Sequence, residues 1–287
     1  VDTGQSDDPP FRRIGIVGLG LIGGSIALAA RQAWPTVRLV AAVRREHPQA
    51  RQVVDEIVTD VAALAPCDLI VVAVPIDRVP ECLLELSRSG TRAVVTDVSS
   101  TKRQVMAAAT AAGLPSFVGG HPMAGGERPG LDCARGDLFR GRPWILVKAT
   151  GTPAADAQLE RFAIGLGAVV RWMDAETHDR TVAYVSHLPQ IVAAALMNAA
   201  DAALGTAGQA VAGNAFGEMT RLASSPPEMW TAVLGENRDY VREALARFIR
   251  ELPADPAGVE PGDWVREALT QSGEARARWR ATSKPRG

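Results

Sequence analysis

A short apolar run, Arg13-Ile14-Gly15-Ile16-Val17, breaks at Gly18-Leu19-Gly20-Leu21-Ile22-Gly23, and the residues from Ile22 to Ala33 then carry small and apolar side chains at helical spacing. Strand, glycine turn and helix in that order point to a helix that returns over a parallel sheet. The pattern continues with Val37 to Val43, with Asp68 to Val74 ending at Pro75, and with Ala93 to Val98, all apolar runs separated by helical segments. Strands that lack polar alternation are covered on both faces, which predicts an α/β architecture. Phe117 to Gly120 and Trp144 to Lys148 add strands, Pro153 to Leu166 reads as a helix, and Ala168 to Met173 as a last strand.

After Asp174 the character changes. From Ala175 to about Leu252 the chain is rich in alanine, leucine and methionine at helical spacing, and Thr181 to Ala203 is apolar over most of a helix circumference. Such a helix is buried against several neighbours or against a partner subunit. The helical segment from Glu228 to Leu252 adds apolar surface, and an arginine-rich helical piece runs from about Asp263 to Arg280. The expected organisation is a Rossmann-like dinucleotide-binding domain over residues 1–174 and an all-α dimerisation domain over 175–287, assembled as a homodimer.

The glycines say what the first domain binds. A strand-to-helix turn of this kind needs its first glycine for backbone geometry, its second so that a pyrophosphate can approach the main chain, and its third so that helix and strand pack closely. Gly18, Gly20 and Gly23 fill those places, and the helix start at Leu21 and Ile22 offers N–H groups to the phosphates. Val74 and Pro75 close the third strand at the same edge of the sheet. An acid after the second strand would hold a free ribose 2′-hydroxyl, whereas arginine there suits a 2′-phosphate. The chain reads Val43-Arg44-Arg45-Glu46, so NADP is the expected cofactor; in the alternative, Arg44 and Arg45 are solvated loop charges and Glu46 takes the ribose of NAD.

Composition narrows the chemistry. With 287 residues, 47% of them hydrophobic, the chain has material for two packed domains. A net charge of -1 creates no field that would draw it to nucleic acid or an anionic membrane, so a small-molecule substrate is expected. Cys67, Cys82 and Cys133 form no C-x-x-C pair, which indicates neither a metal site nor a disulfide framework and fits a reducing cytoplasm. The first ten residues lack a basic stretch and no apolar run reaches the roughly 18 residues of a membrane span, so neither export nor anchoring is expected.

About a hundred residues past the glycine turn stands His121-Pro122-Met123-Ala124-Gly125-Gly126-Glu127, in a chain with only 4 histidines. An imidazole downstream of a dinucleotide turn points to a proton acceptor for a redox reaction. Four further segments accompany the turn in order: Thr96-Asp97-Val98-Ser99-Ser100-Thr101-Lys102, His121-Pro122-Met123-Ala124-Gly125, Ser186-His187-Leu188-Pro189, and Met219-Thr220-Arg221 with Ser225-Pro226-Pro227-Glu228-Met229-Trp230. Together they resemble the prephenate/arogenate dehydrogenase family, over most of the chain from about Arg13 to Leu252.

The resemblance implies an oxidative decarboxylation: a cyclohexadienol loses its ring carboxylate as carbon dioxide while hydride passes to a nicotinamide. It assigns His121 as proton acceptor, and Ser100 as the serine that hydrogen-bonds both the histidine and the substrate hydroxyl. Arg221 would grip a substrate carboxylate through two parallel N–H bonds, and Glu127 and Trp230 would line or gate the pocket. The family motif usually continues Ser-His-Leu-Pro-His, whereas this chain has Gln190 at the fifth position. An amide there changes recognition of the substrate side chain, so an arogenate-specific or dual enzyme stands beside a prephenate enzyme. His187, on an apolar helix, reads either as a core residue or as a substrate contact. Two rivals are weaker: a β-hydroxyacid dehydrogenase or imine reductase relies on a lysine in its second domain, and none occurs between Lys148 and Lys284. A non-catalytic redox sensor would have no use for Ser100, His121 and Arg221 together.

Overall fold

Alternate residues of β1 (Arg13–Val17) turn to opposite sides of a sheet, Ile14 and Ile16 into one apolar core and Val17 into another. The same division runs through β2 (Arg38–Ala42), β4 (Leu69–Val72) and β5 (Val94–Asp97), whose residues are almost all buried, as strands sandwiched between helices require. The computed structural model describes residues 8–45, 47–126, 128–149, 152–252 and 261–283. Helices α1 (Leu21–Ala33) and α5 (Pro153–Gly165) contribute Ile26, Ala30, Leu159 and Phe162 to the first core. Helices α3 (Val79–Arg88) and α4 (Arg103–Ala112) contribute Leu83, Leu86, Val105 and Ala109 to the second. Leaving the larger of these side chains in water instead would cost about 1.5–3 kcal/mol each, which favours this seating of the helices on the sheet.

Eight strands form one sheet in the order β3-β2-β1-β4-β5-β6-β7-β8, the remaining four being β3 (Glu56–Val58), β6 (Phe117–Pro122), β7 (Pro143–Lys148) and β8 (Val169–Trp172). The order reverses direction between β1 and β4, where open α/β sheets leave a crevice beyond the carboxyl ends of their strands. Two features depart from the sequence reading. Strand β3, which follows the short helix α2 (Ala50–Val53), has three half-buried residues, too few to stand out as a run; Arg13 and Arg38 both reach its Glu56. Strand β7 runs antiparallel to β6: among the described residues of 123–142 the one helical element is a short turn at Leu131–Cys133, not the crossover helix a parallel return needs.

Strand gives way to helix at Ala175. Helix α6 (Ala175–Val182) passes through a π-helical turn, Ala183–His187, into α7 (Leu188–Gln209), which Gly205 interrupts at φ 58°. Then follow α8 (Asn214–Thr220), a 3-10 turn at Arg221–Ser224, α9 (Pro227–Glu236), α10 (Arg238–Glu251) and α11 (Pro261–Ser283). What reads in the sequence as one helical segment from Glu228 is two helices, parted at Asn237. By packing, the chain forms one unit up to Val241 and a second from Arg242. In α7 only Gln190 and Ala193 are fully buried, so the described residues cover its apolar girth only in part. The continuous helix over 175–209 is long and apolar enough, by length and composition, to cross a membrane, against the expectation that no run would be.

Candidate active site

The glycine turn is tight where it touches protein and open where it does not. Gly18 has φ +92°, and a Cβ there would lie 2.5 Å from the Ala73 carbonyl oxygen and 3.1 Å from Val74, while a Cβ on Gly23 would lie 2.1 Å from the Gly18 carbonyl oxygen. A Cβ on Gly20 would meet nothing within 4 Å. The second glycine therefore borders empty space at the start of α1, which has no capping side chain and no acid in its first turn. That space, flanked by the half-buried Leu21 and Ile22, fits a pyrophosphate approaching backbone N–H groups. Pro75, exposed, follows β4 at the same edge. Arg44 and Arg45 are exposed just past β2, and Glu46, the alternative ribose partner, lies outside the described residues.

His121 sits near the end of β6, 7% exposed. It can reach this edge because Gly120 precedes it: a Cβ on Gly120 would fall 2.5 Å from the Asp97 carbonyl oxygen. Asp97, at the end of β5, accepts from the backbone N–H of Gly120 at 3.0 Å and of Ser99 at 2.9 Å, and forms a fully buried ion pair with Lys102. The loop beyond β6 swings back over α1, where a Cβ on Gly126 would lie 3.4 Å from Leu21. The imidazole edge and the glycine turn are thus brought into one region. Glu127 lies outside the described residues.

Three of the four histidines converge here. His121 Nδ1 is 2.9 Å from His178 Nε2, and His178 Nδ1 is 2.7 Å from Asp179 Oδ1. Burial, together with His178, Lys102 and His187 nearby, holds the His121 imidazole well below its usual titration range. Burial likewise lowers His178, against the pull of Asp179. Burial alone would raise the Asp179 carboxyl, but His178 and the backbone N–H groups of Arg103 and Lys102 outweigh it and keep the group ionised. His187, fully buried, is pushed down to about 4 by desolvation.

Asn237 ties the cluster together. Its side-chain oxygen accepts from Arg103 at 3.1 Å, so its NH2 group must face the Asp179 carbonyl at 2.7 Å and His187 Nδ1 at 3.2 Å. His187 then carries its proton on Nε2, a buried atom with no protein partner among the described residues, and its ring stands at 85° to that of Trp230. The indole N–H of Trp230 is likewise buried and unpartnered among them. Two buried donors on packed rings can hydrogen-bond an acceptor that enters beside them, a ligand oxygen or a water.

Ser100, half-buried just past β5, departs from expectation: among the described residues His121 bonds to His178 and not to Ser100. Gln190 also differs. Its NH2 group donates to the Leu222 carbonyl at 2.7 Å and its amide oxygen accepts from Ser225 at 3.2 Å, so it clasps the turn that begins with the exposed Arg221. Sequence reasoning missed His178, Asp179 and Asn237 altogether. His178-Asp179 belongs to none of the motifs, and only the rarity of histidine in the chain pointed toward it.

A glycine turn at the switch point of an open sheet, a buried neutral imidazole at the same edge and a helical region behind it define a nucleotide-dependent oxidoreductase. Residues 26–171 match the nucleotide-binding domain of prephenate dehydrogenase, and residues 174–268 match its dimerization domain. The prephenate dehydrogenase of Bacillus subtilis is 33% identical over 261 residues, 86% of this chain and 70% of its own length. Among solved structures, the prephenate dehydrogenase of A. aeolicus in complex with hydroxyphenyl propionate and NAD+ superposes with TM-score 0.84 at 26% identity, over 93% of this chain and 98% of that one. Synechocystis arogenate dehydrogenase gives 0.79 at 29% identity, over 93% and 99%. The chain belongs to the prephenate dehydrogenase family.

Proposed function

We propose that the protein catalyses the oxidative decarboxylation of prephenate or of its amino acid counterpart, arogenate, to 4-hydroxyphenylpyruvate or tyrosine and carbon dioxide. A bound oxidised nicotinamide dinucleotide supplies the hydride acceptor. The glycine turn and the first turn of α1 hold its pyrophosphate. His121 takes the proton of the ring hydroxyl as carbonyl character grows at that carbon, and the electrons of the carboxylate bond enter the ring as carbon dioxide leaves. Arg221 grips a carboxylate, and the N–H groups of His187 and Trp230 offer it or its neighbour further donors. The observation that carries this reading is an imidazole kept neutral by burial at the carboxyl edge of the sheet, where an accepting base is needed.

Gln190 acts through the Arg221 turn and not as a direct reader of the substrate side chain, which leaves both acids acceptable. Appearance of reduced nicotinamide on adding each purified acid tests the reading; failure on both ends it. Arg44 and Arg45 favour NADP over NAD, since guanidinium groups at the second strand's end suit a 2′-phosphate. Comparing kcat/KM for the two cofactors decides this, and a strong NAD preference refutes it.

A further inference from the structure

A neutral imidazole has two tautomers, and a base needs the one whose outward nitrogen carries no proton. Burial keeps His121 neutral without choosing between them. The choice is made behind it. His178 and Asp179 are 0% and 1% exposed, and Asp179 caps the amino end of α4: Oδ1 accepts the Lys102 N–H at 2.7 Å, and Oδ2 accepts the Arg103 N–H at 3.0 Å and the Arg103 Nε–H at 3.2 Å. A carboxylate with such donors only accepts. The proton of the 2.7 Å contact therefore belongs to His178 Nδ1, which leaves His178 Nε2 as a bare acceptor. The 2.9 Å contact to His121 then requires the proton on His121 Nδ1, and His121 Nε2 is left with its lone pair.

We propose that Asp179 and His178 are positioning residues that lock His121 in the Nδ1–H tautomer, so that Nε2 is the atom that accepts the substrate proton. This rests on His121 being the acceptor. When Nε2 takes the proton, His121 becomes an imidazolium that still donates from Nδ1 to His178, and no other proton has to move. The same cluster sets His187 the opposite way, with a donor on Nε2, because Asn237 donates to its Nδ1. Two histidines in one site thus take complementary roles, one accepting and one donating, each fixed by the neighbour bonded to its Nδ1.

The test is the tautomer itself, read by long-range nitrogen–proton NMR on the full chain labelled with 15N-histidine and saturated with oxidised cofactor. The expected spectrum shows His121 protonated on Nδ1 and bare on Nε2. His178→Phe removes the acceptor facing His121 Nδ1, so the Nδ1–H tautomer should lose its exclusive hold, with a second signal for His121 protonated on Nε2, and kcat should fall roughly tenfold or more while cofactor affinity holds. A wild-type His121 protonated on Nε2, or a folded His178→Phe protein with an unaltered tautomer, overturns the proposal. Should His178→Phe fail to fold, the wild-type spectrum decides alone. The expected spectrum combined with full turnover by His121→Asn would remove His121 as acceptor, and with it the catalytic meaning of the lock.

Discussion

Buried histidines that cannot charge make the folded state sensitive to acid. His121, His178 and His187 are all held below the ordinary imidazole value, His187 at about 4. In the unfolded chain each titrates near 6.5, so below that pH the unfolded state binds the extra protons and stability declines. For His187 the decline continues until about pH 4, where the folded form also protonates, a loss of roughly 3 kcal/mol from this residue. The urea midpoint should fall steadily from about pH 7 to pH 5, and a flat profile would contradict a neutral buried cluster. For the same reason the acid limb of kcat/KM should lie well below pH 6.5. Sequence made His121 legible through its place after a dinucleotide turn, but His178, 57 residues away, gains meaning only when α6 lies beside β6. Gln190 was visible as a departure from the family motif; that its amide clasps Leu222 and Ser225 depends on where a distant turn folds back.

At the scale of elements, two glycines separate binding from folding. Gly20→Ala adds a methyl group to open space at the start of α1. Its melting temperature should stay near wild type while cofactor affinity weakens roughly tenfold or more, the worth of one or two disturbed phosphate contacts. Gly120→Ala forces a Cβ to 2.5 Å from the Asp97 carbonyl oxygen and 2.9 Å from Thr96 Oγ1. Overpacking of this kind costs about 1–3 kcal/mol, so a lowered melting temperature is expected. Calorimetry and cofactor titration on both variants check this; unweakened binding by Gly20→Ala would refute the pyrophosphate site. The central strands were readable because runs such as Leu69–Val72 are apolar throughout. The direction of β7 was not, since it depends on the missing crossover helix, and the break at Asn237 depends on hydrogen bonds to Arg103, Asp179 and His187.

For the molecule as a whole, the surface of the helical region calls for a partner. Val185, Leu196, Leu204 and Met219 are exposed along the apolar stretch around α7 and α8, and the matching family domain is a dimerization domain. A second copy of the chain would cover that surface. Sedimentation at micromolar concentration should give a dimer, and Leu196→Asp should shift it toward monomer; a monomeric wild type would contradict this. Catalysis gives the sharpest check. That His121 accepts the proton is tested most directly by the turnover of His121→Asn with prephenate and saturating cofactor, measured beside its cofactor dissociation constant. A loss of about two to four powers of ten in kcat with the dissociation constant unchanged is predicted, whereas wild-type turnover by the folded variant would contradict it.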